Sequence, residues 1–124
     1  MGWKARQWAT KHYGLPPRAK AVLLCIAEYH NDKAGYAWPS QQTIAADTGY
    51  SARTVKRAIS DLKSLGLLNT ARQVFTYHDG YAPNRYYLVG YSPNQPEPGK
   101  VYMSGGWFNN RGDWEPDLNE WDPT

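Results

Sequence analysis

The chain has 124 residues, 14 Lys+Arg against 11 Asp+Glu, and one cysteine. That length holds one packed domain plus a tail. A lone cysteine excludes an internal disulfide framework, and no run approaches the roughly 20 apolar residues of a membrane-spanning helix.

The net charge of +3 hides an asymmetry. Residues 1–90 carry 12 Lys+Arg against 5 Asp+Glu, a balance of +7, whereas residues 91–124 carry 2 against 6, a balance of −4. A basic body with an acidic tail points to an anionic partner, most often nucleic acid, with solubility alone as the alternative. The start, Met1-Gly2-Trp3-Lys4-Ala5-Arg6, has no apolar run of a signal peptide. Arg6 stands where a myristoylation motif needs Ser or Thr. The expectation is a soluble protein with no membrane partner.

Residues 3–13 read as a short amphipathic helix, with Trp3, Trp8 and Tyr13 docking on the core and Lys4, Arg6 and Lys11 in water. Gly14-Leu15-Pro16-Pro17 breaks it, and Pro17 suits the first position of a second helix running to about His30. Apolar residues from Ala21 to Ala27 surround that helix, which predicts burial on most sides and makes Cys25 a small core residue. Asn31 to Gly35 is a polar loop. Tyr36-Ala37-Trp38 is an extended piece closing onto residues 39–66, with Trp38 a lid on the core.

Residues 39–66 form the centre of the sequence. Ser40 caps a short helix whose apolar side is Ile44, Ala45 and Ala46. Asp47-Thr48-Gly49-Tyr50 is the turn, with Gly49 free to take positive φ. Ser51 caps the next helix, and Gly66 ends it. Val55, Ala58, Ile59 and Leu62 fall at helical spacing and face inward, leaving Arg53, Lys56, Arg57 and Ser60 outside. A polar, basic outer face directly after a tight turn is the layout of a DNA-reading helix-turn-helix. After Gly66 the period changes. Leu67-Leu68 begins an extended segment, and Ala71 to Tyr77 and Arg85 to Val89 read as strands around the turn signal Asp79-Gly80, with 70–89 as the hairpin that lies on the DNA backbone. A hairpin in that place is a wing, so the fold class is mainly α with a β-hairpin wing: a winged helix-turn-helix. From Ser92 to Gly99 three prolines mark a linker, Val101-Tyr102-Met103 suits one more short strand, and the end is acidic and rich in tryptophan. The division expected is 1–90 as the DNA-binding domain and 91–124 as a Pro/Gly-rich linker and acidic aromatic tail.

Residues 17–89 resemble the winged helix-turn-helix family of bacteriophages, plasmids and other mobile elements. The words that carry the likeness run from Ala34 to Ala46, Thr48 to Ile59 and Leu62 to Leu68, with Asn84-Arg85-Tyr86-Tyr87-Leu88 resembling the returning wing strand. Members include stand-alone regulators and the N-terminal DNA-binding parts of replication initiators. The resemblance implies double-stranded DNA as partner and a regulator in the cytoplasm of a bacterial host cell, at the nucleoid. Roles at a replication origin or in recombination and excision are the alternatives.

The recognition helix, residues 51–65, carries the base-reading candidates. Arg53 and Arg57 stand one turn apart and offer the planar fork that suits guanine O6/N7. Ser51 and Thr54 can bond phosphate or base edges, and Ala52 can meet a thymine methyl. Phosphate candidates are Lys56 at the edge of this face, Ser40, Gln42 and Thr43 at the preceding helix start, and Tyr50 in the turn, which is equally suited to the core. In the wing they are Arg72, His78 and Arg85. An ordinary solvated helix face is the competing reading of the basic residues.

His12, His30 and His78 share no metal-ligand spacing with each other or with Cys25, and no nucleophile motif or glycine-rich phosphate loop is present. No metal, cofactor or enzymatic activity is expected. Trp107, Phe108, Trp114 and Trp121 are partner-docking candidates, for a homodimer or another protein through residues 100–124. This opens a second class of function, a protein-interaction module. The tail is alternatively a brake, lying across the basic body and competing with DNA.

Overall fold

Helix starts and stops follow local chemistry. In the computed structural model, which describes residues 3–74, 84–96, 101–103, 106–108 and 113–116, four helices come first: α1 Trp3–Thr10, α2 Pro17–Glu28, α3 Gln41–Thr48 and α4 Ala52–Ser64. Proline opens α2, where its missing N–H and fixed φ cost nothing. Ser40 and Ser51 cap α3 and α4 by the same device: each Oγ accepts the amide of the threonine three residues on, Thr43 or Thr54. Gly49 turns the chain between them with φ +81°. Gly66, at φ +75°, ends α4 in a Schellman turn, with Gly66 N–H donating to Lys63 and Leu67 N–H to Leu62.

The core is built around α2, which packs on α1, α3 and α4. Val22, Leu23 and Ile26 of α2 meet Ile44 of α3 and Val55 and Leu62 of α4, all fully buried. Burying each such side chain is worth about 1.5–3 kcal/mol. The inward set expected for α4 (Val55, Ala58, Ile59, Leu62) is buried, and its outward set is exposed.

Several aromatics sit differently from the sequence expectation. α1 ends at Thr10, and its contact with the core is made by Ala5 and Ala9. Two alanines four apart let the helix backbone come close, so Trp3 and Tyr13 are left 59% and 83% exposed. Trp8 alone of the three expected aromatics packs against the core, stacking on His12 and Tyr91. Trp38 is no lid: it is 43% exposed and leans on Tyr36. Alternation explains this, because Ala37 pairs with Tyr86 and points inward, so both its neighbours point outward. Ala46 is exposed, leaving Ile44 and Ala45 as the apolar side of α3. Cys25 is half-buried, and that burial pushes its thiol up to about 11.

The wing strands are β1 Leu68–Val74 and β2 Arg85–Leu88, antiparallel from Leu68 opposite Leu88 to Ala71 opposite Arg85. Leu68, Tyr86 and Leu88 join the helical core, while Ala71 and Tyr87 are buried on the other face. Residues beyond the wing enlarge the sheet. β3 Val101–Met103 runs parallel to the outer half of β1, from Arg72 opposite Val101 to Val74 opposite Met103. β4 Gly106–Phe108 and β5 Trp114–Pro116 pair antiparallel beyond it, giving the order β2-β1-β3-β4-β5. One strand was expected here and three form. Ser92 to Pro96, which reads as linker by composition, is held in place: Ser92 is buried, and Gln95 bonds Asn69 and the Leu88 carbonyl.

Candidate nucleic-acid interface

α4 is amphipathic because its four buried residues recur at positions three and four apart, which fixes what its other side presents. Ala52, Arg53, Lys56, Arg57, Ser60, Lys63 and Ser64 are all exposed. The single acid of the helix, Asp61, is turned to α2 and bonded to Arg18 at 3.0 Å. The outer face is therefore cationic and hydroxylic and free of carboxylate. Lys63 in the last turn also complements the helix dipole.

The wing side of α4 borders a hollow. A cavity of about 500 Å³ lies between the helix and the sheet, and its lining includes Lys56, Ser60, Lys63 and Ser64 of α4, Gln41 of α3, and Thr70, Asn84 and Tyr86 on the sheet side. Two ammonium groups with hydroxyls and amides around them suit a phosphodiester. Lys63, Ser64, Thr70 and Asn84 escaped the sequence reading because the hollow exists only once the sheet folds back on α4. The lysine spacing was a signal: Lys56 and Lys63 are two turns apart and share one side of the helix.

The base-reading candidates Ser51, Ala52, Arg53 and Arg57 lie together on the exposed face, whereas Thr54 is half-buried. The hydroxyls of Ser51 and Thr54 bond each other at 3.0 Å, so both serve the helix cap first. The phosphate candidates are less uniform. Lys56 and Gln42 are exposed. Ser40 and Thr43 are half-buried and bonded to each other at 2.9 Å. Tyr50 packs partly on the core. Arg72 is exposed on β1, where it pairs with Val101 of β3. The guanidinium of Arg85 lies 4.2 Å over the ring of Tyr36, on the sheet face opposite the helices. Among the docking candidates Trp107 and Phe108 fall in β4 and Trp114 in β5. Trp121 and His78 lie outside the described residues.

A second polar group ties the wing to the helices. His30 is buried between two partners, with Nδ1 3.0 Å from Asp32 Oδ1 and Nε2 2.9 Å from Ser92 Oγ. A carboxylate only accepts, so Nδ1 presents a proton to Asp32, while Nε2 faces the Ser92 hydroxyl. Ser92 Oγ in turn accepts the Leu88 amide at 2.9 Å. Tyr91 donates to the same Asp32 oxygen at 2.8 Å. The Tyr91 and His30 hydrogen bonds hold the Asp32 carboxyl below its ordinary range, against partial burial. Burial and the Asp32 bond push the Tyr91 hydroxyl up to about 12. Carboxylate, imidazole and hydroxyl stand in the order of a hydrolase triad. Here the hydroxyl is buried and already bonded on both sides, so it fastens β2 to the loop after α2 and meets no substrate.

Residues 13–68, from the approach to α2 through the first residue of β1, match the helix-turn-helix domain family. No curated protein and no solved structure matches the chain. The match covers the helices that position α4. With the hairpin behind them, the fold is a winged helix-turn-helix of mainly helical content. The helix-turn-helix match supports DNA as the partner.

Proposed function

We propose that the protein binds double-stranded DNA in a sequence-specific way, as a transcriptional regulator of a bacteriophage, plasmid or other mobile element. α4 enters the major groove. Arg53 and Arg57 read base edges, assisted by Ser51 and Ala52 at the helix start. Lys56 and the hollow beside it take the phosphate backbone, and the first turn of α3 and Arg72 of β1 hold further phosphates. The observation that carries this reading is the outer face of α4: Arg53, Lys56, Arg57 and Lys63 exposed together, with Asp61 withdrawn to α2.

Affinity falls with salt because each neutralised phosphate releases counterions; for about 5–8 contacts, log K drops with a slope of roughly −0.9 per contact. Selection of bound sequences from a random DNA pool is the direct test. Enrichment of a motif is expected, and Arg57→Ala should relax it at one position at a cost of about 1–3 kcal/mol. Lys56→Ala should weaken all sequences alike. A pool with no enrichment, and gel shifts unmoved by either change, would overturn the assignment of α4.

A further inference from the structure

A cavity of about 580 Å³ lies between the end of α2 and the start of α3. Pockets that hold small molecules run from roughly 300 to 1,000 Å³. Ser40 and Thr43 border this one, whereas Gln41 of the same turn borders the lysine hollow beside α4. Its apolar walls are Tyr29, Trp38 and Pro39, and its carboxylates are Glu28 and Asp32. Among the described residues no Lys or Arg lines it. Its character is thus opposite to that of the hollow: aromatic and anionic.

Both rings are exposed yet held in place. Tyr29 donates its hydroxyl to Asp47 of α3. Trp38 leans on Tyr36 with 5.3 Å between centroids, and Tyr36 lies under Arg85. Walls fixed in this way lose little freedom when a ligand covers them. The neutral polar groups of the lining serve the fold. Ser40 and Thr43 bond each other, both nitrogens of His30 are engaged, and Asn31 Oδ1 takes the amides of Lys33 and Ala34. The carboxylates are only half used. Glu28 meets Arg6 through Oε2, and Asp32 meets His30 and Tyr91 through Oδ1. Among the described residues, Glu28 Oε1 and Asp32 Oδ2 have no hydrogen-bond partner, and both side chains are exposed. Lys4 acts on Asp32 electrostatically without closing an ion pair. α2 ends at this cavity with the negative pole of its dipole, while the Ser40 cap meets the positive pole of α3.

We propose that this cavity binds a small organic cation, a quaternary or alkylated ammonium with an apolar body. The cation lies against the rings of Trp38 and Tyr29, and the unused oxygens of Asp32 and Glu28 balance its charge. Attraction of a cation to a ring face is strongest on tryptophan. Alkyl groups on the nitrogen pack against the aromatic walls, which a hydrated metal ion does not use. A phosphate would meet two like charges here, so the cavity is unsuited to the DNA backbone. None of these residues belongs to the outer face of α4, so the site stands apart from the DNA-binding reading.

The test is an NMR titration of the isotope-labelled full chain with choline chloride, against sodium chloride at equal ionic strength. Saturable shifts are expected at the Trp38 indole N–H and at the amides of residues 28–32 and 38–43, and sodium chloride should not reproduce them. The control ligand is 3,3-dimethylbutanol, which has the shape of choline with carbon in place of the charged nitrogen. It should bind at least about fivefold more weakly. Trp38→Ala should weaken choline binding about tenfold or more, and Trp38→Phe by less, with far-UV dichroism to verify folding. Glu28→Gln leaves the cavity walls intact and should weaken choline severalfold while leaving the neutral ligand unchanged. Shifts that never saturate, a neutral ligand that binds as well as choline, or folded Trp38 and Glu28 variants that bind choline like the wild type overturn the proposal. None of these readouts depends on DNA.

Discussion

Arg18 of α2 reaches Asp61 of α4 with two nitrogens, Nε and Nη2, each 3.0 Å from the same carboxylate oxygen. The contact draws the only acid of α4 to the flank of the helix and away from its cationic face. Asp61→Ala should cost about 0.5–1 kcal/mol, the range of a pair that remains partly exposed. Urea titration measures that loss. Gel shifts of the same variant should show DNA binding no weaker than wild type, and tighter at low salt, because a negative charge has left the helix.

Gly49 sets the angle between α3 and α4. A Cβ built there meets nothing within 4 Å, so the glycine is required by its φ of +81° alone and not by crowding. Gly49→Ala should therefore lower stability by about 1–2 kcal/mol through backbone strain. Gly49→Asn should recover much of it, since asparagine tolerates the left-handed region. Thermal melts of the two variants separate strain from packing. Equal losses would mean that the site is crowded after all.

The helix pair was legible because everything that makes it is local. Ser40, Gly49, Ser51 and Gly66 are start and stop signals within a turn of their targets, and the buried set of α4 repeats at helical spacing. Aromatic positions were less legible. Hydrophobicity alone placed Trp3, Tyr13 and Trp38 inward, but α1 docks through its alanines and strand alternation turns Trp38 out. Contacts between distant residues left no local trace. His30 and Ser92 are 62 residues apart, and β3 finds β1 across the whole wing. The hollow beside α4 has the same origin: Lys56 and Asn84 meet only in the folded sheet.

The His30 fastening predicts both a mutational and a pH effect. Ser92→Ala removes the acceptor of the Leu88 amide and the partner of His30 Nε2, two buried groups at once. A loss of about 1–3 kcal/mol is expected, with faster hydrogen exchange at β2. For pH, Asp32 is held below its ordinary value in the folded state, chiefly by Tyr91. Between the two values the unfolded chain binds more protons, so stability rises with pH there. The contribution is complete above about pH 4–5 and is lost as pH falls through the lower folded value. Asp32→Asn should flatten this acid limb of the stability profile and leave the neutral region with a constant offset.

Lys20 fixes α1 on the body. Its ammonium donates to three carbonyls at the end of α1, those of Ala9, Thr10 and His12, at 3.0, 2.7 and 2.6 Å. The Ala9 carbonyl also accepts the His12 amide at 3.1 Å, and the helix dipole makes this end negative. A single lysine from α2 thus satisfies what a glycine cap does elsewhere, and its charge adds to the bond. Lys20→Met keeps the length and apolar stem but loses all three bonds, at a cost of about 1.5–3 kcal/mol for a charged donor. The loss should fall on α1 before the rest: amides of residues 5–10 exchange faster, while the amides of α4 keep their protection. DNA affinity should be unchanged, because α1 lies outside the proposed DNA face. A variant that loosens α4 as much as α1 would show that the two helices unfold as one unit.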